Sequence, residues 1–150
     1  MGELKQLSVF AENKPGKLEK ITKALADDGI NILAVSISGS ADFGVIKFVV
    51  DKCDDAYKSL KEKGFTVSLN NVLGIELVDK PGGLHDVLAV LGKHGVNVEN
   101  AHVFVVESRH RAFLIVEVED VKAAKELMKG ESINFYDDRE DYGETLALDG

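Results

Sequence analysis

The feature that most constrains this chain is an internal repeat with an offset of 66 residues. Residues 13–18 (NKPGKL) return as residues 79–84 (DKPGGL). At the same offset, residues 29–32 (GINI) return as residues 95–98 (GVNV). Two motifs that share one offset are hard to obtain by chance. They predict two copies of one supersecondary unit.

Hydrophobic periodicity predicts the same order of elements, βαββαβ, in each copy. In the first copy, a helix that begins at the Pro-Gly pair and ends at Gly29 separates the first two strands, since proline suits a helix start and glycine a helix end. The predicted strands of this copy are 4–11, 32–38, 45–50 and 65–69, and its second helix is 54–63. In the second copy the strands are 73–78, 98–106, 112–118 and 133–136, and its second helix is 121–129.

This order predicts an antiparallel four-stranded sheet in each copy, because right-handed crossovers place both helices on the same side. The predicted fold is therefore α+β, with two ferredoxin-like βαββαβ units, antiparallel sheets and helices on one face. We expect one domain over residues 1–72, a second over 73–138 and an acidic C-terminal tail over 139–150. A unit of about 70 residues buries only a thin core. We therefore expect the units to pack on each other and the chain to form a homodimer.

Charge is unevenly distributed along the chain, whose formal net charge is -8. Residues 1–72 carry ten acidic and ten basic side chains, whereas residues 73–150 carry sixteen acidic and eight basic ones. Nucleic-acid binding requires a clustered basic face, which this balance does not favour. The apolar runs are too short to span a bilayer, the first ten residues do not resemble a secretory signal, and the single cysteine forms no internal disulfide. We expect a cytoplasmic protein with neither a membrane nor a nucleic-acid partner.

The repeated motifs resemble those of a known family. A βαββαβ unit with [Asn/Asp]-Lys-Pro-Gly-x-Leu after its first strand and Gly-[Ile/Val]-Asn-[Ile/Val] at the start of its second strand is similar to an ACT domain. The resemblance extends from Leu4 to about Asn71 and from Leu73 to about Asp138. It implies a regulatory module that binds a small ligand, usually an amino acid, at an interface between two ACT units. It also implies a regulated partner, such as a biosynthetic enzyme.

The loop before each first helix is suited to the carboxylate of an amino acid. A helix start offers backbone N–H groups and a partial positive charge. Gly16 and Gly82 have no side chain, so a ligand can approach the backbone closely. Gly83 stands where the first copy has Lys17, which predicts a more open loop in the second copy.

Polar side chains near these loops complete the candidate ligand-binding set. Asn13 can donate and accept hydrogen bonds, whereas an ionised Asp79 only accepts and suits an ammonium group. Asn31 and Asn97 follow the first helix of each copy and can present an amide to a neighbouring unit. The candidate residues are Asn13, Gly16, Asn31, Asp79, Gly82 and Asn97. Purely structural roles remain as alternatives, with Asn13 and Asp79 as helix N-caps and the other two asparagines as turn residues that bond to local backbone.

Catalysis and metal binding find little support in the sequence. All four histidines lie in the second copy, and none has a counterpart in the first. His102 and His110, with Glu99 or Glu107, are the one arrangement that could hold a metal. Cys53 precedes a helix, but no histidine lies near it in its own copy, so we interpret it as a core residue. We predict no enzyme activity, no metal and no cofactor.

Two other families with the βαββαβ order fit less well. Acylphosphatases carry an arginine in the first loop, whereas no arginine precedes Arg109 here. RNA-binding RRM domains need exposed aromatic side chains on the middle strands and a basic surface. The net charge of -8 does not favour such a surface here. The sequence therefore favours an amino-acid-binding regulatory protein. The alternative is an interaction subunit that regulates a biosynthetic enzyme by contact and binds no ligand.

Overall fold

The computed structural model describes residues 4–105 and 111–135. The chain divides into two compact units with boundaries between Leu4 and Lys5 and between Asn70 and Asn71, so that the last residue of the strand Thr66–Asn71 is grouped with the second unit. Residues 5–70 are called the first unit below, and the remaining described residues are called the second unit. Residues 107–110 of the connection between the predicted strands 98–106 and 112–118, the end of the predicted last strand at Tyr136 and the tail over 139–150 lie outside the described residues.

The first unit has the predicted βαββαβ order. Its elements are β1 (Lys5–Glu12), α1 (Lys17–Asp27), β2 (Ile32–Ser40), β3 (Phe43–Val50), α2 (Cys53–Glu62) and β4 (Thr66–Asn71). The four strands form one sheet in the order β2–β3–β1–β4. β3 is antiparallel to both of its neighbours, and Phe48 of β3 lies opposite Leu7 of β1 and Val35 of β2.

Both helices of the first unit cover the same face of this sheet. Leu7 and Phe48 have no exposed surface. They belong to one hydrophobic cluster with Ile21 and Leu25 of α1 and Leu60 of α2. The apolar stripe of α1 therefore faces the strands, as an amphipathic helix requires. Burial of each such side chain stabilises the unit by about 1.5–3 kcal/mol.

The second unit repeats this arrangement. Its elements are β5 (Leu73–Val78), α3 (Gly83–Lys93), β6 (Asn100–Val105), β7 (Arg111–Glu117) and α4 (Val121–Leu127). The strands pair antiparallel in the order β5–β7–β6. Ile75 of β5, Leu91 of α3 and Ala124 of α4 belong to one hydrophobic cluster, so both helices again lie on one face. The predicted α+β fold of two ferredoxin-like units is confirmed.

The predicted last strand of the second unit, over residues 133–136, is described up to Phe135. Within the described part of the predicted strand 133–136, Phe135 forms an isolated antiparallel bridge with Ile75. The Glu76 N–H also donates a hydrogen bond of 2.9 Å to the Asn134 carbonyl. Up to residue 135, the second unit therefore has a bridge beside β5 in the place that β4 occupies in the first unit.

The hairpin between β2 and β3 is tighter than predicted. The predicted strands end at residue 38 and resume at residue 45, whereas the observed strands extend to Ser40 and start again at Phe43. Gly39 lies opposite Gly44 in the ladder. A Cβ on Gly39 would lie 3.0 Å from the Phe43 carbonyl oxygen. Glycine therefore allows a close approach of the two strands.

The second helix of each unit differs slightly from its predicted range. α2 begins and ends one residue early, over Cys53–Glu62, and α4 ends at Leu127 instead of residue 129. Helix ends are set by capping contacts as well as by hydrophobic period, so shifts of one or two residues are common. In the ranges 4–105 and 111–135, no helix has the length and apolar character that a membrane span needs.

Candidate ligand-binding site

The loop between β1 and α1 contains two of the candidate residues. The Asn13 N–H donates to the Asp42 carbonyl at 2.8 Å, which fixes the end of β1 against the β2–β3 turn. The Lys17 N–H donates to the Lys14 carbonyl at 3.3 Å. Gly16 is the N-cap of α1, with a left-handed φ of 83°. Because glycine has no side chain, the first turn of this helix has no side-chain cap.

The loop between β5 and α3 has the same backbone geometry. Gly82 is the N-cap of α3, with φ 86°, and again no side chain caps the helix. The Gly83 N–H donates to the Lys80 carbonyl at 3.0 Å, which matches the bond of Lys17 in the first unit. Each helix thus begins after the Pro-Gly pair instead of at the proline, because the glycine must adopt a left-handed conformation. The alternative in which Asn13 and Asp79 are helix N-caps is wrong.

Gly83 makes the second loop tighter, which corrects the expectation of a more open loop. Gly83 is buried, and a Cβ at this position would lie only 2.0 Å from the Val78 carbonyl oxygen. The absence of a side chain therefore lets the helix start approach the end of β5. Lys17 has a Cβ at the equivalent position, so this close approach is particular to the second unit.

Asn31 and Asn97 lie at the opposite end of the first helix from the glycine loops. Asn31 precedes β2, where its N–H donates to Asp51 Oδ1 at 3.0 Å and its carbonyl accepts from the Asp51 N–H at 3.2 Å. Asn97 follows α3 in the same way. Since α1 and α3 have 11 residues each, the two ends of each helix are about 16 Å apart. The structure therefore does not bring the loop residues and the asparagine of one unit together.

Each of the four polar candidate side chains lies on the surface, and none of them supports local structure in the described part of the chain. Asn13, Asn31, Asp79 and Asn97 are all exposed. Within residues 4–105 and 111–135, their side chains make no hydrogen bond or ion pair. In particular, the local backbone near Asn31 is held by the Asp51 carboxylate, not by the Asn31 amide. Their donors and acceptors are thus available to a ligand or to water.

Two larger clefts occupy equivalent positions in the two units, and the sequence analysis did not identify either. The cleft of the first unit has a volume of about 890 Å³ and lies between the end of β1 and residues 64–66. The cleft of the second unit, about 370 Å³, lies between the end of β5 and residues that include Ser132 and Asn134. A smaller cleft of about 150 Å³ is lined by Asn13 and Leu18. The walls of these clefts come from distant parts of the chain, so sequence spacing gives little indication of them.

In each unit an ion pair joins the C-terminal ends of the two helices. The acidic partner follows the first helix in the first unit, whereas it follows the second helix in the second unit. In the first unit, hydrogen bonds from Ser59 and Lys63 lower the pKa of Asp28, which follows α1. In the second unit, hydrogen bonds from His94 and Lys93 lower the pKa of Glu131, whose Oε1 lies 3.0 Å from His94 Nε2 and 2.9 Å from Lys93 Nζ. Near the first loop, Lys14 lies 3.0 Å from Glu12 and lowers the pKa of that carboxyl.

The residues considered for metal binding or nucleophilic catalysis do not form a cluster in the described ranges. No group of three or more histidine, cysteine, aspartate or glutamate side chains there could hold a metal. His110 and Glu107 of the possible metal set lie outside those ranges. Cys53 is 3% exposed, and its Sγ lies 3.9 Å from the Lys5 carbonyl oxygen. It packs in the hydrophobic cluster of the first unit, as its interpretation as a core residue requires.

Residues 2–144 match the sequence model of a family described as an ACT domain pair. Among solved structures, the chain is similar to protein BT0572 from Bacteroides thetaiotaomicron, with 34% identity and a TM-score of 0.83 over 90% of this chain and 92% of that one. No curated protein matches the chain.

Two further solved structures share the fold at lower identity. The chain is similar to the regulatory subunit of aspartate kinase from Thermus thermophilus, with 20% identity and a TM-score of 0.62. It is also similar to the corresponding subunit from Thermus flavus, with 18% identity and a TM-score of 0.56. Both comparisons cover 85% of this chain and 91% of the other.

Proposed function

Because this chain belongs to the ACT domain pair family, a family of regulatory modules, we propose that it senses an amino acid and modulates a partner in amino acid metabolism. It acts by binding instead of catalysis, as a homodimer in the cytoplasm, and the partner is a biosynthetic enzyme. The proposed ACT domains are residues 1–72 and 73–138. The ligand-binding residues are Asn13, Gly16, Asn31, Asp79, Gly82 and Asn97.

The separation of the candidate groups along the first helix carries this proposal. Gly16 and Asn31 lie at opposite ends of α1, about 16 Å apart. The ammonium and carboxylate groups of one amino acid are attached to a single carbon and cannot span that distance. A ligand that contacts both kinds of group must therefore take the glycine loop from one ACT unit and the asparagine from another. This is why the proposed site needs paired units.

The chemistry of each loop suits one end of the ligand. The uncapped first turns of α1 and α3 offer N–H groups to a carboxylate, and the glycine N-caps leave room for it. The Asn13 amide or the Asp79 carboxylate can accept hydrogen bonds from the ammonium group. An asparagine amide from a second unit then adds a donor and an acceptor. Binding at such a site favours the arrangement of units in which both parts meet, and only that difference in affinity changes the partner's activity.

The first test is thermal unfolding of the purified protein with each of the twenty amino acids at millimolar concentration. A ligand present at one hundred times its Kd stabilises the folded state by about 2.7 kcal/mol. For a chain of this length, that corresponds to a rise in Tm of roughly 5–11 °C. We expect a selective rise with one chemical class of amino acid. No rise with any of the twenty would contradict the proposal and support the ligand-free interaction subunit.

The second test separates binding from assembly. The double variant Asn31→Ala, Asn97→Ala is expected to lose the ligand-induced rise in Tm while its sedimentation coefficient stays that of the unaltered protein. Asn70→Ala is the matched control, because Asn70 is also an exposed asparagine but lies outside the proposed site. A double variant that dissociates would assign the two asparagines to assembly and overturn their role in binding.

A further inference from the structure

The 890 Å³ cleft of the first unit has an aromatic lining that the ACT fold does not require. Phe10 at the end of β1, Phe43 at the start of β3 and Phe65 after α2 contribute to its wall, together with Lys17 of α1. These four residues define what is called the aromatic cleft below. Its volume lies within the range of about 300–1,000 Å³ that is typical of sites for small organic molecules.

Phe10 and Phe43 are unusually exposed for their residue type. They lie on the same sheet face, because Phe10 is opposite Val45 and Glu12 is opposite Phe43 in the β1–β3 ladder. Phe10 is 47% exposed and Phe43 is 66% exposed. Two neighbouring aromatic side chains of this exposure form an apolar surface beside a cleft, which in soluble proteins commonly marks a binding site.

The second unit provides an internal comparison for this surface. Glu76 of β5 stands at the position of Phe10, 66 residues later. Arg111 stands at the position of Phe43, since it lies opposite Val78 as Phe43 lies opposite Glu12. The equivalent cleft is lined there by Ser132 and Asn134 after the second helix. The second unit thus has the same fold with polar residues at these two positions, so the fold does not require phenylalanine there.

Lys17 contributes a positive charge to the aromatic cleft, and Glu12, which also lines it, contributes a negative charge that Lys14 offsets. Its Nζ lies 5.6 Å from the centroid of the Phe65 ring, a cation–π distance. Among the residues that the structure describes, no carboxylate forms an ion pair with Lys17, whereas the nearby Glu12 is paired with Lys14 at 3.0 Å. An anionic group in the cleft could therefore bind Lys17 without displacing an existing salt bridge. In the second unit the equivalent residue is Gly83, which has no charge.

We propose that the aromatic cleft is a second ligand site, which takes a small molecule with an aromatic ring and an anionic group. The ring packs on Phe10 and Phe43, and the anionic group pairs with the Lys17 ammonium. None of the six residues proposed for the amino acid sites belongs to this cleft. The inference thus goes beyond the proposed function. Lys17 also lines the smaller cleft beside Asn13, whereas Phe10 and Phe43 do not, so the two phenylalanines test this site independently of the amino acid site.

Isothermal titration calorimetry with three probes tests the chemistry of the cleft. 3-Phenylpropionate has both features, 3-phenylpropionamide lacks the charge and 3-cyclohexylpropionate lacks the aromatic ring. We expect 3-phenylpropionate to bind most tightly. The double variant Phe10→Ala, Phe43→Ala is expected to weaken its binding by about tenfold or more, and Lys17→Met is expected to remove the preference for the acid over the amide. Leu127→Ala is the matched control, because Leu127 is 53% exposed and lies in the other unit.

Three results would overturn the proposal. The first is no binding of 3-phenylpropionate up to 10 mM (on the order of the weakest affinities measurable this way). The second is binding that the double phenylalanine variant leaves unchanged. The third is dissociation of an oligomer by that variant in sedimentation, which would show that the phenylalanines contact a second copy of the chain. Asn31→Ala, Asn97→Ala should leave probe binding intact, so failure of the amino acid site and failure of this site give different results.

Discussion

The replacement Gly83→Ala tests the close approach between α3 and β5 that distinguishes the two units. An added Cβ would lie 2.0 Å from the Val78 carbonyl oxygen, whereas real Cβ atoms essentially never approach closer than 3.0 Å. The two groups must therefore separate by about 1 Å, and the opposing atom is backbone and cannot rotate away. Overpacking of this kind typically costs about 1–3 kcal/mol. For a chain of this length, we expect Tm to fall by roughly 2–12 °C.

A second glycine of the same helix provides the control for this experiment. Gly92 of α3 has no atom within 4 Å of an added Cβ. Gly92→Ala should therefore stabilise the protein by up to about 1 kcal/mol through helix propensity alone. Urea unfolding followed by far-UV circular dichroism compares the two variants with the unaltered protein. If Gly83→Ala is as stable as Gly92→Ala, the steric reasoning is refuted and the loop in solution is as open as the sequence suggested.

Two further predictions concern the second unit. Asp120 caps α4 by accepting a hydrogen bond of 3.0 Å from the Ala123 N–H, so Asp120→Ala should cost about 1 kcal/mol in urea unfolding. Asp120→Asn should retain most of that stability, and equal losses in both variants would argue against capping. Because His94 and Lys93 lower the pKa of Glu131, the folded state favours the ionised carboxyl. That stabilisation is present above about pH 4.3 and is lost as pH falls through the folded-state pKa. Glu131→Gln should therefore unfold at lower urea than the unaltered protein at pH 7, with a smaller difference near pH 3 (about the lower end of the carboxyl range); a difference independent of pH would contradict this.

The repeat and its elements could be read from the sequence because they depend on local patterns. The 66-residue offset between residues 13–18 and 79–84 shows that one fold is used twice. Apolar residues at helical spacing predicted the buried face of α1, and Ile21 and Leu25 are in the core of its unit. The corresponding prediction for α3 is correct for Val87 and Leu91 but wrong for Leu84 and Leu88, which are exposed. The resemblance to ACT domains rested on the same short motifs, and it is confirmed. The six candidate residues for ligand binding remain predictions.

The tertiary structure decided what depends on residues far apart in the chain. The clash that excludes a side chain at Gly83 involves the Val78 carbonyl on another element, so the sequence suggested an open loop where the structure has a tight one. The aromatic cleft was missed for the same reason, since Phe10, Phe43 and Phe65 lie on three separate segments that meet only after the sheet forms. Periodicity records which side of a helix or strand is buried. It does not indicate which backbone atom or side chain of another element lies opposite, and these contacts between elements determine the shape of a site.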